Sequence, residues 1–400
     1  LSRYYLFYII FSLLVFYFGP VNYTLINPII TLLFIIVAYG ALFLGLYIGF
    51  NFIKCSNLKH EKVYINNRIF SILILILISI NTINIVDVFS SIGFESIYNI
   101  SLGELYYSNA NSEKEGGIIT QLLTVTYPVV MYIIAYSCSY FKNLNFYNKF
   151  AFFLFIVLSV SQYVLKGTNF GVFLILIPII VNIYIKQEYN NIFSVKNLLF
   201  LSFVIYFISV ISSRLSYYEV PYSVGALIID RDHVIFDILP KNLAIGVTSA
   251  LSYVSQGYYG LSLAFDYPFD STLGLGSGYF VISKLGVIID PDIFIKTYQA
   301  KMDSIWSSRI QWHTIFVWIA NDVSFYFTPF IMFILGIISG VVYKSVRKNN
   351  DLLSKSLFSI LTIILIFLPA NNIVSGNPLV FMSFWVLLIL WLFRMVVKNE

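Results

Sequence analysis

The 400-residue chain is 59% hydrophobic and only 11% charged, where soluble domains carry roughly 25% charged residues. So few charges cannot cover a water-soluble fold of this length. The formal net charge of +5 comes from basic loop residues and gives no ground for nucleic-acid binding.

Apolar runs long enough to cross a bilayer recur along the chain and predict an all-α, polytopic membrane protein. The short alternating strands of an outer-membrane barrel are not seen. Spans are expected at 4–19, 28–50, 69–86, 118–141, 150–165, 170–185, 198–213, 324–343, 356–369 and 379–394. The first run, Tyr4–Gly19, has no small-residue cleavage site and ends in Gly19-Pro20. It reads as a retained helix rather than a signal peptide. Two cysteines, Cys55 in a basic loop and Cys138 in an apolar span, fall in different compartments and exclude a disulfide framework. No Cys/His or Asp/Glu cluster has metal-ligand spacing.

The loops sort by charge. One set holds Arg3, Lys54, Lys59, Lys62, Arg68, Lys142, Lys149, Lys186, Lys196, Lys344, Arg347, Lys348, Lys355, Arg394 and Lys398. These 15 basic residues are opposed by only four acidic ones, Glu61, Glu188, Asp351 and Glu400. The other set contains an acidic loop at 87–117, the Lys166–Asn169 turn, a long stretch at 214–311 and the Pro369–Pro378 turn. The two sets alternate, which by the positive-inside rule makes both termini cytoplasmic. The 87–117 and 214–311 stretches then become a small and a large outward loop on a single integral membrane domain, 1–400.

The large loop is not uniformly polar. Leu243–Phe265 is nearly uncharged and holds Gly246, Gly257 and Gly260. It is expected to re-enter the membrane or lie on it, and if 243–265 and 275–290 both span, the helix count rises from ten to twelve. The string LGLGSG at Leu273–Gly278 lacks the following Lys-Ser/Thr of a phosphate loop and reads as a flexible turn.

Candidate functional residues gather on the outward side. Arg214 ends the seventh span, Arg231 and His233 lie in IIDRDHVIFD, and Arg309 and His313 lie in IWSSRIQWHTIFVW. Lys166 occupies the turn between the fifth and sixth spans. Such cations suit a diphosphate, because guanidinium meets phosphate oxygens with paired donors; at helix ends they also serve as snorkelling anchors. Arg309 and His313 are four residues apart and would share one face of a helix. That helix would stand at the entry of a span that carries Asp322 inside an apolar run, an ionisable group at a depth where a functional role or a structural counter-charge is expected. His233, between Asp230, Arg231 and Asp232 on one side and Val234 on the other, also fits a solvated loop tip. Tyr217, Tyr218, Tyr222, Tyr253, Tyr258 and Tyr259 suit either stacking on sugar rings or an interfacial aromatic belt.

With these residues in view, the chain resembles the bacterial O-antigen or capsular repeat-unit polymerases of the Wzy type. Three features carry the resemblance: Arg214 and Gly225 separated by ten residues at the start of the large loop, the run Ser252–Gly278, and the turn Lys166-Gly167-Thr168 between two apolar helices. Asn169 stands where an arginine is expected, and counting eleven from Arg309 reaches Ala320 rather than glycine. The second arginine is therefore either Arg309 or Arg231.

The resemblance implies a glycosyltransferase-C-like fold in the bacterial inner membrane, acting in lipopolysaccharide or capsular polysaccharide biosynthesis without a cofactor. Its substrates would be undecaprenyl-diphosphate-linked oligosaccharides, and its partners a chain-length regulator and the flippase of the same pathway. The growing glycan would pass from its lipid diphosphate to a hydroxyl of an incoming lipid-linked repeat unit. Cations must stabilise the departing diphosphate, and a base can assist the acceptor hydroxyl. Arg214 and Arg309 fit the first role, with Lys166, Arg231, Gly225 and Tyr258 in substrate binding. His313 fits the second, supported by Asp322 or His233. The competing expectations are an O-antigen ligase, which shares this arrangement, and a lipid-linked oligosaccharide flippase, which calls for shorter loops and more charges within its helices.

Overall fold

The computed structural model describes residues 2–53, 65–92, 118–186, 195–217, 223–224, 227–308 and 311–397. In chain order the helices are α1 (Ser2–Phe18), α2 (Pro28–Asn51), α3 (Asn67–Ile92), α4 (Ile118–Tyr140), α5 (Phe146–Leu165), α6 (Asn169–Lys186) and α7 (Val195–Tyr217). They continue as α8 (Ile235–Ile238), α9 (Lys241–Ala264), α10 (Leu275–Ile289), α11 (Tyr298–Lys301), α12 (Ile315–Asn349), α13 (Leu352–Phe367), α14 (Ile373–Gly376) and α15 (Pro378–Val397). Strands β1 (Val21–Asn22), β2 (Ser223–Val224) and β3 (Leu227–Ile229) form one small antiparallel sheet in the order β1-β3-β2.

Every expected span coincides with a helix. Six of them, α2, α3, α4, α5, α12 and α15, are long and apolar enough to cross a membrane among the described residues. The apolar parts of α1, α6, α7 and α13 are shorter. The chain divides into two compact units, one of residues 1–55, 222–344 and 364–381, the other of residues 56–221, 345–363 and 382–400.

In the first unit α2 and α12 cross at bare backbone. Gly45 and Gly49 on α2 face Gly336 and Gly340 on α12, each pair separated by one helical turn. A Cβ on Gly45 would lie 2.1 Å from the Phe333 carbonyl oxygen, and one on Gly336 would lie 2.2 Å from that of Leu42. Between apolar helices in lipid there is little hydrophobic drive to associate, so this close approach supplies the van der Waals contact that holds the pair. Lys344 Nζ donates to the carbonyls of Asn51 (3.3 Å) and Ile53 (2.8 Å) at the end of α2, where the helix dipole favours a cation.

The second unit uses hydrogen bonds as its glue. Along the face of α3 that meets α5, Ser71 donates to Asn148 (2.7 Å), Asn81 to Ser159 (3.1 Å) and Asn84 to Gln162 (2.5 Å). Such interhelical bonds average about 0.6 kcal/mol in membrane bundles, so the ladder fixes register as much as it adds stability. At the other helices, Asn182 reaches Ser359 (3.0 Å), Trp391 reaches Ser354 (2.9 Å), and Arg394 pairs with Asp351.

Loop ends that share a charge class meet: Lys344 with the end of α2, Asp351 with Arg394, and Lys355 with Ser139 (2.7 Å). The orientation of the bundle rests on the charge pattern alone. Cys138 lies in α4, and Cys55 lies outside the described residues.

The crossing makes a simple prediction. Gly45→Ala and Gly336→Ala should each destabilise the protein by about 1–3 kcal/mol through overpacking against backbone. Gly40→Ala, whose Cβ would meet nothing within 4 Å, should not. Thermal denaturation of the three variants in detergent checks this, and equal melting of all three would refute the crossing.

Candidate functional site

The segment before α12 was expected to be helical, with Arg309 and His313 on one face. The structure differs. Residues 311–314 are irregular and the helix starts only at Ile315; Arg309 lies outside the described residues. The segment is held as a loop by Trp306 Nε1 donating to the Trp312 carbonyl (3.0 Å), by Gln311 N bonding to Ser307 O (2.8 Å), and by Ile315 N bonding to Leu368 O (3.1 Å).

Two glycines on α9 let this loop settle against the helix. A Cβ on Gly257 would fall 2.2 Å from the Pro369 carbonyl oxygen and 3.1 Å from Thr314 N. One on Gly260 would fall 2.9 Å from both His313 Nδ1 and Trp306 Nε1. The consequence is unusual burial of polar groups. Gln311, His313 and Thr314 are 3%, 1% and 0% exposed. Neither ring nitrogen of His313, nor Gln311 Nε2, nor Thr314 Oγ1 has a hydrogen-bond partner among the described residues. Each such buried orphan costs about 1–3 kcal/mol, and four of them fall within this one loop. Around them, Tyr253 meets Trp312 edge-to-face at 4.5 Å between ring centres, and Tyr259 meets Trp306 at 4.8 Å. Burial pulls the His313 imidazole down from 6.5 to about 3, with Asp303 opposing weakly.

Asp322 has a different task from the orienting or basic one expected of it. Its Oδ1 accepts from Thr272 Oγ1 (2.6 Å), Gly274 N (3.0 Å) and Gly276 N (3.0 Å), and its Oδ2 from Ser277 N (2.7 Å). The glycine string thus wraps a carboxylate supplied from α12, which caps the start of α10 where a negative charge is favoured. None of these bonds goes to His313. The neighbouring Asn321 accepts from Tyr298 N (2.8 Å) and donates to Gln299 Oε1 (2.8 Å).

Tyr258 is also a correction. It is fully buried, and its hydroxyl bonds with those of Ser12 and Tyr39, both at 3.0 Å. It packs α9 against α1 and α2 and presents nothing to a sugar. His233 bonds through Nε2 to the Phe18 carbonyl (3.2 Å), while its Nδ1 accepts from Ile235 N (3.2 Å). It therefore joins the end of α1 to the start of α8 from a partly exposed turn. Arg231 is exposed in the adjacent turn.

Lys166 belongs to the second unit. It caps α5, and its Nζ donates to Asn84 Oδ1 (3.3 Å). Burial lowers its pKa, with Asp87 acting in the opposite sense. Arg214 lies on α7, and Gly225 lies outside the described residues. The structure therefore brings His313 together with Trp306 and Trp312, which the sequence reading did not single out. It does not join His313 to Asp322. Among the described residues no three His, Cys, Asp or Glu converge on a metal-sized site. Compared with protein-family models, with characterised proteins and with solved structures, the chain finds no match.

The burial of His313 has a consequence in acid. Unfolded, the imidazole titrates near 6.5; folded, near 3. Between these values the unfolded chain binds a proton that the folded chain does not. Stability is therefore complete above 6.5 and falls as the pH drops below it, by about 1.4 kcal/mol per unit. From pH 7 to pH 5 this one group should cost about 2 kcal/mol, and His313→Gln should remove that part of the acid sensitivity. The same acid slope in both proteins would show that His313 is not buried as described.

Proposed function

We propose that the chain is an inner-membrane glycosyltransferase that polymerises lipid-linked glycan repeat units. The observation that carries the proposal is His313: a fully buried, neutral imidazole with neither nitrogen partnered among the described residues, on an irregular loop bordered by tryptophan and tyrosine rings. Irregular backbone among apolar helices is tolerated where it is enclosed by protein or lines a working cavity. The resemblance in the Arg214–Gly225 and Ser252–Gly278 strings supports the same reading.

In the reaction, the bond between the anomeric carbon of the growing glycan and its lipid diphosphate breaks. A new bond forms from that carbon to a hydroxyl oxygen of the incoming repeat unit. The diphosphate leaves with the bonding electrons, and the hydroxyl proton must depart. A histidine held neutral down to about pH 3 is a weak base, so His313 serves best as a hydrogen-bond acceptor that aims the hydroxyl. The departing diphosphate is the eventual home of the proton. Arginine charge stabilises it, a role for which the resemblance names Arg214 and either Arg309 or Arg231. Tyr258 and Asp322 have structural roles and are left out of this mechanism.

The test is genetic. Cells carrying Arg214→Ala or Arg309→Ala should make core bearing a single repeat unit and no polysaccharide ladder, at normal levels of the protein in the membrane. Each loss is worth about 10–150-fold in rate if the contact acts in the transition state. Arg→Lys should be partly active at best, since lysine keeps the charge and loses the paired donors. Full ladders from both alanine variants would reduce these arginines to interface anchors. Complete loss of attached repeat units in a deletion strain would favour a ligase or flippase.

A further inference from the structure

We infer that Gln311, His313 and Thr314 form the hydroxyl-binding end of a saccharide site whose walls are Trp306, Trp312 and Tyr253. This deepens the polymerase proposal and rests on it for the identity of the saccharide.

The chemistry of the orphaned atoms selects the ligand class. Gln311 offers an amide donor, Thr314 a hydroxyl that can donate or accept, and a neutral imidazole one donor and one acceptor. All four atoms are buried and have no partner among the described residues, within four consecutive positions. A phosphate or diphosphate wants several donors and a positive charge, and none of these three side chains brings one. Adjacent hydroxyl groups, each both donor and acceptor, satisfy such a mixed set. A sugar ring also presents an apolar C–H face, which suits aromatic walls. The Tyr253–Trp312 pair, at 4.5 Å and 79°, fixes one wall, and the Trp306 bond to the Trp312 carbonyl fixes the other. The glycines at 257 and 260 are what bring the loop down to this depth, since a side chain at either would meet backbone or the His313 ring.

The experiment uses the full chain in lipid nanodiscs, which avoids sugar-headed detergents. The probe is the repeat-unit oligosaccharide released by mild acid from the lipid-linked pool of a deletion strain, free of lipid and diphosphate. Binding is read from intrinsic tryptophan fluorescence. The wild type should bind, and Thr314→Val and Gln311→Leu should each weaken binding about tenfold, the loss of one hydrogen bond. Thr314→Ser, which returns the hydroxyl, should bind as the wild type does and so separates loss of a contact from loss of the fold. The inference is overturned if the wild type does not bind the free oligosaccharide, or if the valine and leucine variants bind it unchanged. The polymerase proposal fails separately, when deletion leaves the ladder intact; oligosaccharide binding that tracks Thr314 and Gln311 would then leave the saccharide site standing.

Discussion

A carboxylate set among three amide hydrogens and a hydroxyl cannot easily move, and in the first unit that carboxylate is Asp322. It fastens α12 to the start of α10, and through the adjoining Asn321 the same stretch holds α11. The chain just beyond it takes a conformation that glycine would favour, at Ser324 with φ 65° and ψ 166°. A residue there costs of order 1–3 kcal/mol, and it persists because the bonds on either side leave little alternative. α12 is therefore two helices joined at a fixed break. The first of them leads back to the irregular loop of His313, so the direction of that loop follows from a joint eleven residues beyond His313.

Polar groups in the two units serve opposite ends. Along α3 and α5 each buried amide has found a partner, and the result is a fixed register. In the 311–314 loop the buried groups have found none among the described residues. Asn81, Asn84 and Asn148 are satisfied, whereas four of the buried polar atoms without a partner among the described residues fall within this one loop. Aromatic rings around that loop, and a histidine kept neutral by burial, give its unmet demand for hydrogen bonds a direction towards uncharged hydroxyls.

Much of the fold was legible in the sequence because apolar length is a strong signal: the expected span at 28–50 became Pro28–Asn51, and that at 379–394 became Pro378–Val397. What could not be read was long-range pairing. The partner of Asp322 is the turn at 272–277, 45 to 50 residues away in the chain, and neither string announces the other. The Asn321-Asp322-Val323-Ser324 string does carry a local sign, three break-favouring residues inside an apolar run. The spacing of Arg309 and His313 misled because four residues apart means one face only on a helix, and here the loop is pinned to α9 instead. Tyr258 misled for the opposite reason: its place on a helix was clear, but not that Ser12 and Tyr39 would take up its hydroxyl. Gly257 and Gly260, three apart on an apolar helix, were the available hint that something packs closely there: Gly257 faces Pro369 and Thr314, and Gly260 faces Trp306 and His313.

Under the proposed function, glycan polymerisation needs only this chain and its lipid-linked substrate. Reconstitution of the purified protein into liposomes with the lipid-linked repeat unit tests it most directly, by following polymer length and released undecaprenyl diphosphate together. Polymer should form without any nucleotide sugar, with one lipid diphosphate freed for every repeat unit joined. Intact repeat units and no freed diphosphate, with the protein folded and the substrate accessible, would contradict it.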